Sequence, residues 1–127
     1  MIEALFSQPN YAASKKLLDA TVLRQEAIAS NLANLEKPNY QRLDVAESFQ
    51  TELRQAMSSR NTGSIAAVHP HLEVDAKAVA GGLDGNTVQM ESELAGLQKN
   101  LVEHSLGTQL VTGALLRLRL AITGRPS

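Results

Sequence analysis

The stretch that decides the fold is Asn86–Thr123, NTVQMESELAGLQKNLVEHSLGTQLVTGALLRLRLAIT. Positions 90, 94, 97, 101, 104, 108, 111, 115, 118 and 122 alternate steps of four and three, the spacing that returns side chains to one seam of a coiled-coil helix. They read Met90, Leu94, Leu97, Leu101, His104, Thr108, Val111, Leu115, Leu118 and Ile122, an apolar seam with a polar notch at its centre. Asn86 stands at the N-cap place and Gln89 at the reciprocal capping position, which predicts where the helix opens. At 1.5 Å per residue such a helix is roughly 57 Å long. A compact domain of this size has a radius of gyration of about 14 Å, hence a diameter of about 36 Å. The helix must therefore protrude, bend or belong to a larger assembly.

A second apolar row, Val102, Leu106, Leu110, Leu116 and Leu120, lies away from the first. One facing helix covers one seam, and the chain offers one other long helix, so contacts with other subunits are expected. The alternative is a middle segment folded back over the second row. Gly96, Gly107 and Gly113 each cost about 1 kcal/mol relative to Ala inside a helix. They either permit close helix approach or mark a helix that orders on assembly.

Upstream, Leu17, Leu18, Val22, Ile28, Ala29, Leu32, Ala33 and Leu35 fall on one broad face at 100° per residue, which predicts an amphipathic helix from about Tyr11 to Leu35. Pro9 and Asn10 suit its start, and Pro38 bars its continuation. Between the long helices, Asp44 and Glu47 have capping-box spacing ahead of Val45, Phe49, Leu53 and Met57, so a short helix is expected there. The polar run Ser58–Ser64 reads as a loop. Val68, Leu72 and Val74 alternate with His69, His71, Glu73 and Asp75, which suggests a short extended segment. Gly81, Gly82, Asp84 and Gly85 break the chain. The expected architecture is all-α and elongated. Residues 1–38 form an N-terminal helix and turn, 39–85 an irregular middle and 86–127 the long C-terminal helix, within one structural unit.

Composition narrows the function. The 127 residues fit one domain, with 17 Ala and 19 Leu against 2 Phe, 2 Tyr and no Trp, a palette for helix packing. The net charge of −1 provides no basic field for phosphates, so nucleic acid is not an expected partner. There is no cysteine, which removes disulfides, thiolate metal sites and Cys nucleophiles together. Residues 1–10 lack the basic and apolar regions of a cleavable signal peptide. The longest apolar run, Leu106–Ile122, is interrupted by Gln109, Arg117 and Arg119, so no transmembrane segment is expected.

Candidate chemistry is sparse. His69, His71, Glu73 and Asp75 would share one side of a strand and are competent metal ligands, but neither a spaced third His nor HExxH accompanies them. Ser30 has no nearby base to activate it, and Asn31 and Asn34 are better read as groups that satisfy carbonyls at a helix end. No phosphate-loop spacing surrounds Gly82 and Gly85. Arg117, Arg119 and Arg125 suit the negative end of a helix dipole. No cofactor, metal site or catalytic residue is assigned, and no enzymatic activity is expected. A His/carboxylate metal-binding module and an unrelated coiled-coil adaptor are the alternatives to an assembly subunit.

The run Ile28-Ala29-Ser30-Asn31-Leu32-Ala33-Asn34, followed by Pro38-Asn39-Tyr40, resembles the N-terminal signature of the bacterial flagellar rod and hook protein family, in which a helix turns at Thr-Pro-Gly-Tyr. Asn39 stands for the Gly, and Asn tolerates the left-handed backbone better than most residues. Val68-His69-Pro70-His71-Leu72 and Asp84-Gly85-Asn86-Thr87-Val88 are similar to stretches of a short, proximal-rod member of that family. The resemblance implies a structural subunit of the proximal rod of the flagellar basal body. It implies export to the periplasm through the flagellar type III apparatus without signal cleavage. The implied partners are other rod subunits and MS-ring junction proteins, met through coiled-coil packing of the terminal helices.

Overall fold

The computed structural model describes residues 8–124. It is mostly helical, with a long helix at each end and a short irregular middle. The elements are α1 (Gln8–Ala33), β1 (Leu43–Val45), α2 (Ser48–Ser58), α3 (Thr62–Ala66), β2 (Leu72–Val74) and α4 (Met90–Thr123). At 34 residues α4 is roughly 51 Å long. Among the described residues no helix is long and apolar enough to cross a membrane. Arg125 lies outside the described residues.

α1 and α4 lie side by side and antiparallel. Leu18 lies beside Gly107, Thr21 beside His104, Ile28 beside Gly96 and Asn31 beside Glu93, so each step along α1 is matched by a step back along α4. Of the three glycines inside α4, Gly107 sits most tightly against α1. A Cβ there would sit 3.2 Å from Leu18 Cδ1, whereas one at Gly113 would meet nothing within 4 Å.

The apolar core lies on the other side of α1, where the middle segment packs. Ala13 and Ala20 of α1 meet Val45, Phe49, Leu53, Ala56, Ile65 and Val68. Alanines on the helix let the larger side chains of α2 and α3 come close, and Phe49 and Ile65 are fully enclosed. β1 and β2 pair antiparallel, Asp44 opposite Glu73, and close this small core at its edge.

Three local expectations change. α2 opens at Ser48 with Glu47 as N-cap and no side-chain cap bond, because Asp44 is already committed to the β-ladder and Glu47 pairs with Lys77 at 3.0 Å. The polar run after Ser58 is ordered by α3, where the Asn61 side chain accepts from Gly63 N–H and caps the helix. The long C-terminal helix begins at Met90 with Gln89 as its uncapped N-cap, not at Asn86. The turn at Asn39 does use the left-handed conformation, φ 59°.

The largest difference concerns the seam. Met90, Leu94, Leu101, Leu115, Leu118 and Ile122 are exposed, with Leu97 and Val111 only partly covered. The face of α4 turned to α1 shares only His104 with that row and otherwise carries Glu93, Gly96, Asn100 and Gly107. The second row, Val102, Leu106, Leu110, Leu116 and Leu120, is exposed as well, so the middle segment does not cover it. Both fully buried side chains of α4, Glu93 and Asn100, are polar.

Candidate functional site

The two signature stretches, some fifty residues apart in sequence, meet at one end of the helix pair and build a hydrogen-bonded junction. Its centre is Asn31, fully buried in the last turns of α1. Asn31 Oδ1 accepts from Leu43 N–H at 2.8 Å and its Nδ2 donates to Leu43 C=O at 2.9 Å, so the amide pairs with β1 as a neighbouring strand would. The second Nδ2 proton goes to Glu93 Oε2 at 3.2 Å, and the Tyr40 hydroxyl adds a long bond of 3.4 Å to Oδ1. All four hydrogen-bonding positions of the amide are used, which licenses its burial.

Glu93 is 1% exposed and answers Asn31 with one carboxylate oxygen and Arg42 Nε with the other, at 2.7 Å. Arg42 reaches on to Asp75 and, at 3.5 Å, to Asp44, tying α4 to both strands. Burial alone would weaken the charge on Arg42. The bonds to Glu93 and Asp75 outweigh that cost and hold its pKa above the ordinary arginine value.

Asn86 closes the junction from the other side. Its Nδ2 shares protons among the carbonyls of Asn34, Leu35 and Lys37 at 2.8–3.1 Å, and its Oδ1 accepts from Val88 N–H at 2.7 Å. A residue expected to cap the start of one helix therefore caps the end of the other, where unpaired carbonyls accumulate. Thr87 N–H donates to Tyr40 C=O and Thr87 Oγ1 accepts from Arg42 N–H at 2.8 Å. Asn39 N–H donates to Asp84 C=O at 2.8 Å, and Gly85, at φ 76°, leaves the space a Cβ would take from Asn39 Oδ1. Asn34 Nδ2 donates back to Ser30 C=O, and Ser30 Oγ lies 3.1 Å from the Tyr40 oxygen.

Of the signature residues, Asn31, Asn86, Thr87 and Val88 are buried, while Ala29, Ala33, Pro38 and Asn39 are exposed and shape the turn instead of filling it. Glu93, Arg42 and Asp75 were not singled out as junction residues. For Glu93 the signal was the seven-residue recurrence of Glu93, Asn100 and Gly107, flanked by Gly96 and His104, a polar stripe beside the leucines, whereas nothing comparable marked Arg42 or Asp75. Farther along the pair, Asn100 Nδ2 donates to Thr21 C=O at 2.8 Å. Thr21 Oγ1 donates to Leu18 C=O and lies 2.9 Å from His104 Nδ1.

The candidate ligands do not gather. Asp75 belongs to Arg42, His71 lies 3.8 Å from Glu73, and His69 contacts Lys16. Among the described residues no group of three or more His, Cys, Asp or Glu is placed to hold a metal ion. The Ser30 hydroxyl meets the Tyr40 hydroxyl.

A long helix pair with a hydrogen-bonded junction at one end leaves the apolar rows of α4 exposed, and the sequence is similar over most of its length to bacterial flagellar rod proteins. No family model matches the chain. The flagellar basal body rod protein FlgB of Borrelia hermsii is 29% identical over 112 residues, spanning 75% of this chain and 82% of that protein. FlgB of Salmonella typhimurium is 27% identical over 126 residues, 87% of this chain and 90% of its own. FlgB of Aquifex aeolicus is 27% identical over 113 residues, with the same 87% and 90% coverage. The resemblance read from the signature stretches thus extends across diverse bacteria, to proteins named for a structural part and not for an enzymatic activity.

Proposed function

We propose that the chain is a structural subunit of the proximal rod of the bacterial flagellar basal body. It reaches the periplasm through the flagellar type III apparatus and packs its terminal helices against other rod subunits and the proteins that join the rod to the MS ring. In this reading the rod transmits torque from that ring. The observation that carries it is the inverted burial of α4, whose enclosed residues are Glu93 and Asn100 while Leu101, Leu106, Leu110, Leu115 and Leu118 face outward. A helix that spends its apolar rows on solvent is incomplete alone. The seam row Met90, Leu94, Leu97, Leu101, Val111, Leu115, Leu118 and Ile122 is the assembly face in this account. The signature residues, from Ala29 to Tyr40 and from Asp84 to Val88, act behind it by fixing how α1 and α4 are presented.

The test is removal and recovery. Cells lacking the chain should build no rod and lose motility, and an epitope-tagged copy should restore both and copurify with basal bodies at a fixed stoichiometry. Motile cells without the chain, or basal bodies from which it is absent, would overturn the proposal.

A further inference from the structure

The seam row of α4 is complementary to itself read backwards. It runs from Met90 to Ile122, nearly five heptads, and its two polar members, His104 and Thr108, stand on either side of its centre at residue 106. In an antiparallel pair of α4 helices centred there, His104 meets the copy's Thr108, Leu101 meets Val111 and Leu97 meets Leu115, and the outer layers stay apolar to both ends. The row is open to such a partner. Its leucines are largely exposed, whereas Leu106 and Leu110 border a groove with Phe49 and Gln50 of α2 on another flank.

Hydrogen counting gives the polar notch a direction. Thr21 Oγ1 spends its one proton on Leu18 C=O at 2.6 Å, so across the 2.9 Å to His104 it can only accept, and Nδ1 carries the proton of the neutral ring. That leaves Nε2, on the far side of the ring, as an acceptor. Thr108 is exposed, and its Oγ1–H donates to His104 C=O at 2.9 Å. A turn about χ1 redirects that proton outward, while the carbonyl keeps its helical N–H.

We propose that α4 pairs antiparallel with α4 of a second copy of this chain, the copy's Thr108 donating to His104 Nε2 on each side of a two-fold axis. Orientation and register both follow from the notch. A parallel pair would set His104 against His104, two acceptors with no proton between them, and an antiparallel pair slipped by one heptad would bury His104 against Leu101 or Leu115. Charge agrees. Glu91 and Arg119 occupy the flanking heptad positions that adjoin across this antiparallel pair, both are exposed, and neither takes part in the ion pairs among the described residues. Such a pair is closed by its two-fold axis and does not grow into a filament. In the free chain it covers the row that the rod proposal assigns to assembly, and so competes with assembly. Only that competition rests on the rod proposal; the pairing itself does not.

The test uses the purified full chain, which has no cysteine of its own. Sedimentation equilibrium should find a monomer–dimer equilibrium that stops at the dimer. Thr108→Val removes the donor from an exposed position of α4 and should weaken the dimer at least fivefold with helicity unchanged, although an added apolar side chain would strengthen a seam that needed no donor. For orientation, Leu97→Cys and Leu115→Cys chains carrying different mass tags are mixed and oxidised. The expected product is the disulfide between the two different chains, in at least fivefold excess over either chain linked to its own kind. A monomer at every concentration, an open-ended polymer, a dimer indifferent to Thr108→Val, or symmetric disulfides equal to or above the mixed one would each overturn the proposal. None of these readings involves a flagellum, so absence of the chain from basal bodies would sink the rod proposal and leave this one standing.

Discussion

Asn31 donates to the buried carboxylate of Glu93 across 62 residues of sequence, and that single bond is where the end of α1 meets the start of α4. Because Glu93 also holds Arg42, the amide, carboxylate and guanidinium act as one unit. Replacing Glu93 with Gln gives Arg42 a neutral partner on its buried side while Asp75 and Asp44 still pair with it on the other. The expected loss is about 2 kcal/mol, that of a charge-assisted hydrogen bond and not of an unpaired buried charge. In a double-mutant cycle, Arg42→Ala added to Glu93→Gln should cost much less than the sum of the two, read from urea midpoints followed by circular dichroism.

Asn86 allows a sharper test because its two atoms do opposite work. Asn86→Ala removes the donor to three carbonyls and should cost about 2 kcal/mol. Asn86→Asp keeps the shape and the acceptor to Val88 N–H, yet turns a carboxylate oxygen toward those carbonyls. It should be at least as destabilising as Ala. A near-neutral Asp variant would show that the amide's donation is not what holds the turn.

What the sequence made legible follows from which forces are local. Helical periodicity located both long helices because it is written within each segment, and the left-handed turn at Asn39 was readable because few residues accept that backbone. Asn86 reads in the sequence as the cap of its own helix because capping rules are local, whereas its actual partners, the carbonyls of Asn34, Leu35 and Lys37, become neighbours only after α1 and α4 pair. The same limit hid Glu93. An acid between Met90 and Leu94 looks like solvent surface until Asn31 and Arg42 are brought to it. The leucine row misled in an instructive way, since the strongest apolar period marked the face left open and not the face used within the chain.

Glycine positions along α4 should respond in opposite directions. Gly113→Ala adds a Cβ that meets nothing within 4 Å, so the isolated chain should gain up to about 1 kcal/mol from helix propensity. Gly107→Ala obtains the same propensity but presses on Leu18 Cδ1 from 3.2 Å. Its net effect should fall below that of Gly113→Ala by a measurable margin. Gly107→Val, with a branched side chain in the same space, should separate the helices and lower the thermal midpoint by several degrees, as a loss of about 1–2 kcal/mol requires in a chain of this length.

The two sides of α4 should separate folding from assembly. Leu101→Asp and Leu115→Asp alter side chains that are already about half exposed in the single chain, 48% and 47%, so helicity and urea midpoint should stay within about 0.5 kcal/mol of the parent. In cells the same variants should abolish motility and disappear from purified basal bodies, because a charge placed in an intersubunit apolar seam is buried without a partner. Asn100→Leu, on the face turned to α1, reverses the pattern. It removes the bond to Thr21 C=O inside the chain, so the midpoint falls first and assembly suffers only as far as the fold does. If Leu101→Asp unfolded the isolated chain while Asn100→Leu left it untouched, α4 would be packed in solution on its leucine row, and the outward presentation on which the rod proposal rests would be wrong.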